Sequence, residues 1–237
     1  MFKKGLFLGI AAAQAQDAVE DSDKIVIDLH FESECPACRS TITKNFAEAY
    51  KAEGFLDMVT INYFPFGNAK EQAQDDSFLF ECQHGAQECN YNIIETCALN
   101  LIEDPYKSFE FVNCIENNDY FWFYQRTINS CQKEVGIDEN LATSIYDCYS
   151  GDMGSQLEHV IANATNSLNP PHKYVPWILV DGEHNDDLQQ QVQSGLLKYV
   201  CDNYKGPNRS ADCDKARAMP TTLMEYIKRE FIEPLFG

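Results

Sequence analysis

The sequence predicts an α/β fold interrupted by a disulfide-stapled, mostly helical insertion, and three observations carry that prediction. A strand pattern from Lys24 to Phe31, a helical pattern after Cys35-Pro36-Ala37-Cys38 and a second strand pattern from Met58 to Phe64 follow one another, which is a βαβ unit. Strand-like runs then vanish from about 68 to 172, where Cys82, Cys89, Cys97, Cys114, Cys131 and Cys148 punctuate short helical stretches. A proline-led strand pattern from Val175 to Val180 brings the sheet back. With 237 residues, 44% of them apolar, the chain can bury one sizeable core or two small ones, so a disordered or collagen-like chain is excluded.

Each element has a local reason. Lys3 and Lys4 precede an apolar stretch from Gly5 to Ala13, and Ala13-Gln14-Ala15 offers small residues at a signal-peptidase site. Residues 1–15 therefore read as a signal peptide and 16–237 as a single domain that includes the insertion. The apolar stretch is far below the about 20 residues of a spanning helix, and no later segment reaches that length without charges, so no membrane span is expected. Lys24 to Phe31 is rich in β-branched and apolar residues, as buried strands are. Ile42, Phe46 and Tyr50 recur every fourth residue along one helix until Gly54 supplies a stop. Met58 to Phe64 alternates, and Pro65 and Gly67 end it. Beyond the insertion, Asp181-Gly182 after the last strand is a hairpin-turn pair. Leu188, Val192, Leu196 and Val200 share one face of a single helix, Cys201 to Cys213 is a loop, and Leu223, Tyr226, Ile227 and Phe231 mark a last helix.

Composition narrows the function. Acidic residues number 37 against 18 Lys and Arg, a net charge of -19, so no basic footprint for nucleic acid or anionic lipid is available. Ten cysteines point to an oxidising compartment. Asn163-Ala164-Thr165 and Asn208-Arg209-Ser210 are glycan sequons, with Asn163 and Asn208 as acceptors.

The Cys-x-x-Cys at a strand-to-helix junction carries the chemistry. A helix N-terminus offers partial positive charge and free N–H groups, which favour a thiolate at Cys35, the attacking sulfur. Cys38, one turn inside, suits the resolving role. Arg39 is expected to lower the Cys35 pKa, and Glu32 and Glu34 to raise it. A zinc site would need a second closely spaced ligand pair, and no Cys-x-x-Cys recurs. A permanently closed structural disulfide at Cys35 and Cys38 is the other reading of the pair. Val175-Pro176-Trp177 supports redox work, since thioredoxin-like folds set a cis proline before a strand facing the Cys-x-x-Cys, where substrate backbone pairs. That assigns Val175 and Pro176 to substrate binding. Eight other cysteines admit about 105 pairings; Cys201 with Cys213 is the pair expected, because Gly206-Pro207 lets the loop between them bend back.

The stretch Cys82-Gln83-His84-Gly85-Ala86-Gln87-Glu88-Cys89-Asn90-Tyr91-Asn92 through Cys97 resembles the C-Q-H-G-x-x-E-C-x-x-N-x-x-x-x-C signature of the gamma-interferon-inducible lysosomal thiol reductase family, at every fixed position. Tyr63 to Lys70, Asp147 to Gln156 and Pro170 to Gly182 share the likeness. It implies a thioredoxin-like fold, entry to the secretory route and reduction of protein disulfides in acidic endosomal or lysosomal compartments, with Cys35 and Cys38 as the active site. Pro36-Ala37 between them tunes how oxidising the site is, which leaves the direction open. The signature itself is expected to do no chemistry, with His84 a structural residue and His172 a loop residue.

The expectation is a thiol-disulfide oxidoreductase whose partners are disulfide-containing proteins and a small-thiol or protein reductant. No metal, flavin or nucleotide is implied, as there is no Gly-rich phosphate loop. Two rivals stand beside it: a secretory-pathway oxidase or isomerase on the same fold, and a non-enzymatic binding protein stapled by disulfides.

Overall fold

The computed structural model describes residues 23–74, 77–118 and 123–214. The signal peptide expected over 1–15 and the last helix expected around Leu223 lie outside the described residues.

Strand β1 (Ile25–Phe31) points Ile27, Leu29 and Phe31 into the core at zero exposure, the period-two pattern of a pleated strand. A continuous helical segment follows Cys35: α1 (Pro36–Ser40), a π-helical stretch Thr41–Phe46, and α2 (Ala47–Tyr50). Ile42, Phe46 and Tyr50 lie on the face that this segment buries against the sheet. Gly54, at φ 72°, then turns the chain into α3 (Phe55–Met58). Strand β2 (Val59–Pro65) runs parallel to β1 in register from Ile25 with Val59 to Phe31 with Pro65, completing the βαβ unit.

The insertion departs from its sequence reading at the start. Strands β3 (Lys70–Gln74) and β4 (Ser77–Glu81) pair antiparallel where no strand was expected. β3 is a polar run, Lys-Glu-Gln-Ala-Gln, without a β-branched residue, so local pattern hides it. Tertiary contacts make it a strand: Phe78 of β4 stacks on His159 with ring centroids 3.8 Å apart, Phe80 meets Phe66 edge-on, and Glu71 of β3 binds His159 Nδ1 at 2.8 Å.

Helices α4 (Ala86–Leu101), α5 (Pro105–Asn117), α6 (Tyr124–Val135), α7 (Glu139–Ser150) and α8 (Asp152–Asn166) make up the rest of the insertion. Asp104 and Asp138 cap α5 and α7 by accepting first-turn N–H groups. Disulfides join Cys97 to Cys148 between α4 and α7, Cys114 to Cys131 between α5 and α6, and Cys82 to Cys89 at the β4–α4 turn. These helices enclose their own apolar cluster around Ile94, Phe111, Ile128 and Ile145. Phe109 and Val112 of α5 reach across into the sheet's core, where Phe109 stacks on Tyr50 with centroids 3.7 Å apart.

The chain returns to the sheet through β5 (Trp177–Val180), antiparallel to β1, giving strand order β2-β1-β5. Asp181 and Gly182 form a tight turn with φ of 51° and 79°, yet only a single bridge, Val180 with Glu183, follows it. The turn docks on β1 instead: Val26 N–H donates to Asp181 Oδ1 at 2.9 Å. The single helix expected from Leu188 to Val200 is two, α9 (Asp186–Ser194) and α10 (Leu196–Asn203). Asn45 causes the break, donating to the Val192 carbonyl at 2.7 Å and accepting from Leu196 N–H at 2.8 Å. Leu188, Val192, Leu196 and Val200 still all pack on the sheet core. A disulfide links Cys201 to Cys213. Among the described residues no helix is long and apolar enough to cross a membrane.

Candidate active site

Cys35 is the N-cap residue of α1, with Pro36 at the first helical position, where a missing N–H costs nothing. Cys35 and Cys38 are the free cysteines among the described residues. Cys35 is 8% exposed, less open than a helix end suggests, and Cys38 is fully buried. The two thiols are driven apart. A hydrogen bond from the Cys38 thiol, and then main-chain N–H groups of Cys38 and Ala37 and the charge of His84, overcome burial and bring the Cys35 pKa down to about 6. Burial, and then donation to Cys35, push the Cys38 thiol well above its usual range. One sulfur is thus poised as thiolate and its neighbour held as thiol.

The Arg39 guanidinium is turned to the Glu116 and Asn118 carbonyls, at 2.6 and 3.3 Å. Glu32 behaves as its position implies: burial chiefly, with repulsion from Glu88 and Cys35, raises it to about 7, so it gives up its charge before it can oppose the thiolate. Glu34, in the left-handed region at φ 67°, is raised too, again chiefly by burial. Gly67 is needed beside them, because a β-carbon there would run into the Glu32 side chain.

Cys35 opens into a cleft of about 550 Å3 lined with Glu32, Asn68, Gln83, His84, Tyr174 and Val175, among others. Val175 belongs to this wall, and the Val175–Pro176 bond is cis. Pro176 itself is buried; Gln189 donates to its carbonyl at 2.9 Å and accepts from Ile178 N–H at 2.9 Å. A larger cleft, about 760 Å3, lies around Tyr124, Arg126, Tyr146 and Tyr149 and has no thiol or carboxyl group in its lining, whereas the smaller one has both.

The signature motif, far from Cys35 in sequence, is at the site. Gln83 Oε1 accepts from Asn68 Nδ2, and Asn68 N–H donates to Glu32 at 2.7 Å. Asn92 accepts from the Ser33 N–H at 2.8 Å, fixing the loop before Cys35. Ser33 Oγ donates to Glu95, which shares a buried hydrogen bond with Glu116; burial raises both above the ordinary carboxyl range, Glu116 to about 7. His84 pairs with Glu88 at 2.7 Å and lies 3.6 Å from Glu32. No nucleophile lies near His84 in sequence; folding brings Cys35 beside it, and only the clustering of His and Glu in the motif hinted at it. Glu32, His84 and Glu88 bring ligand-type atoms within 4.8 Å of one another. The His84–Glu88 spacing is that of a hydrogen bond, shorter than the roughly 3.3 Å between two ligands of a tetrahedral zinc. His172 is not in the cleft wall; it is half-buried, and burial lowers its pKa. Asn163 on α8 and Asn208 in the Cys201–Cys213 loop are exposed.

The fold and its paired thiols define a thioredoxin-like thiol-disulfide oxidoreductase. The fold is similar to that of the MdbA protein, a thiol-disulfide oxidoreductase from Actinomyces oris, with a TM-score of 0.55 and 14% identity over 78% of this chain and 84% of that one. The chain belongs to the gamma interferon inducible lysosomal thiol reductase family, whose model matches residues 26–135. It is 34% identical to the gamma-interferon-inducible lysosomal thiol reductase of Carassius auratus over 81% of this chain and 73% of that one. Identity to the gamma-interferon-responsive lysosomal thiol protein of Arabidopsis thaliana is also 34%, over 78% and 73%.

Proposed function

We propose that this enzyme reduces disulfide bonds of proteins in an acidic endosomal or lysosomal lumen reached by the secretory route, with Cys35 as nucleophile and Cys38 as resolving thiol. The observation that carries the reading is the split between the two sulfurs, a cleft-facing thiolate with a pKa of about 6 above a buried thiol held protonated. Cys35 attacks a substrate sulfur to form a mixed disulfide. Cys38 then attacks that bond, releasing reduced substrate and leaving Cys35–Cys38 oxidised. The Val175 backbone pairs with the substrate segment, and Pro176 shapes the turn that presents it. A small thiol or a protein reductant restores the dithiol.

Acidity suits the site. At pH 5 about a tenth of a thiol with this pKa is ionised, whereas an ordinary cysteine is thiolate to well under one part in a thousand. Glu32, at about 7, is neutral there and no longer repels it. Asn163 and Asn208 carry glycans in this reading, and the mature chain begins at Gln16. Insulin reduction by the purified mature chain from pH 4 to 8 tests the proposal, with turnover persisting at pH 5 expected. A rate that falls tenfold per unit from pH 8 to 5 would sink it.

One observation favours the rival direction: a stabilised thiolate also stabilises the reduced dithiol, which makes the pair more oxidising. Equilibration of Cys35–Cys38 with glutathione separates the two, a reductase lying nearer thioredoxin than the periplasmic oxidases.

A further inference from the structure

We propose that His84, held by Glu88 beside Cys35, is the general acid of the first exchange step, delivering a proton to the substrate sulfur that leaves. The inference rests on Cys35 being the nucleophile, and it gives the signature motif a chemical role.

The geometry builds a proton carrier. Glu88 is fully buried, and its Oε2 accepts the His84 main-chain N–H at 2.6 Å while pairing with Nδ1 of the same residue at 2.7 Å. One oxygen thus fixes both backbone and ring, and leaves Nε2 as the nitrogen that exchanges protons. The ring is a third exposed and lines the same cleft as Cys35 and Val175. A substrate strand along Val175 that offers one sulfur to Cys35 has its second sulfur in the space His84 borders. The charged and titratable groups facing His84 are Glu88 in the first turn of α4, Glu32, Glu34 and Cys35 on the loop from β1, and Lys70, Glu81, Lys173 and Tyr174 around the cleft. Burial opposes the charged ring, but the hydrogen bond and charge of Glu88, then Glu32 and the Cys35 thiolate, outweigh it and raise His84 above its ordinary value.

The step balances without an outside oxidant or reductant. His84, raised above its ordinary 6.5, is imidazolium at pH 5, and Cys35 reacts through its thiolate fraction, its proton having passed to solvent. The thiolate attacks, the substrate S–S bond breaks, and a Cys35–substrate disulfide forms. The electron pair goes to the departing sulfur, which takes the imidazolium proton. At pH 5 this matters because an ordinary cysteine, with a pKa of about 8.5, leaves poorly as a thiolate.

The test compares two disulfide substrates at pH 5 in single-turnover mixed-disulfide formation. One releases an alkyl thiol; the other releases an aromatic thiolate that needs no proton to leave. His84→Gln is expected to slow the alkyl substrate about 100-fold and the aromatic one by no more than about threefold. Equal losses, or none, overturn the inference, since a packing role would slow both alike. Wild-type enzyme in heavy water gives a reading independent of the variant's folding: the alkyl reaction is expected to slow and the aromatic one not, and no difference between them overturns it. If Cys35→Ser still reduces disulfides, the site reading itself fails. If that variant is inactive while the leaving-group pattern is flat, only the role of His84 fails.

Discussion

The three-stranded sheet with its flanking helices and the helical insertion solve different problems with the same residue types. In the sheet region the core is built from Ile27, Leu29, Phe31, Ile178 and Val200, with one disulfide, Cys201–Cys213, and one buried carboxyl beside it, Glu32, while Cys35 and Cys38 are left unbonded. Three disulfides staple the insertion, which buries carboxyl groups at Glu88, Glu95, Glu116 and Glu158. The difference teaches a division of labour: the sheet presents the two free thiols, and the insertion adds most of the buried acids around them while carrying three of the four disulfides.

Cysteine substitutions sharpen this contrast most. Cys35→Ser is expected to abolish turnover and capture nothing, because a serine hydroxyl does not ionise in this range. Cys38→Ser is expected to lose turnover yet accumulate covalent substrate complexes, because attack proceeds and the release route is gone. Neither should alter the urea midpoint much. Non-reducing gels read the trap, and trapping by Cys35→Ser instead would reverse the roles.

In the insertion the pattern inverts, with stability lost before chemistry. Replacing both Cys97 and Cys148 by Ala frees a loop whose ends are 51 residues apart, a loss of roughly 4 kcal/mol in the chain-entropy model. On the sheet side, the Cys201–Cys213 pair, 12 residues apart, gives roughly 3 kcal/mol in the same model. Urea unfolding measures both. Peptide mapping without reduction should recover each pair joined.

The buried acids predict a pH dependence with a definite sign. Burial raises Glu158 to about 8 and Glu116 to about 7 from an ordinary 4.5, so the folded state prefers them protonated. Their contribution is complete below pH 4.5 and is lost as pH rises through 7 and 8. The mature chain should therefore be more stable at pH 5 than at pH 8, by a few kcal/mol. Glu158→Gln keeps an acceptor for Thr96 Oγ1 and should flatten that slope. An unchanged slope would show that the insertion's acids are better solvated than their burial implies.

The smallest effect concerns the sheet side. Asn45→Ala removes two hydrogen bonds that tie the π-helical stretch to α9 and α10, at a cost of about 1 to 2 kcal/mol in urea unfolding. A loss near zero would mean that apolar packing alone holds those helices.

Legibility in the sequence followed the range of the signal. β1, the helix after Cys35 and β2 were readable because alternation and fourth-residue spacing report local burial, and Cys35 and Cys38 stood out as a Cys-x-x-Cys at a strand-to-helix junction. β3 was invisible, since its polar residues become a strand only through β4 and His159. The break between α9 and α10 was hidden likewise, because Asn45, far away in sequence, makes it.

By itself, then, the sequence determined the α/β class, the Cys-x-x-Cys pair and the cysteine-rich insertion, all of which are written in neighbouring residues. Tertiary structure alone decided that His84, Glu88, Asn92 and Gln83 surround the loop before Cys35, and that Arg39 donates to the Glu116 and Asn118 carbonyls of the insertion. The physical reason is that side-chain hydrogen bonds and burial depend on which surfaces meet. A thiol's charge state answers to its neighbours in space, whatever their distance along the chain.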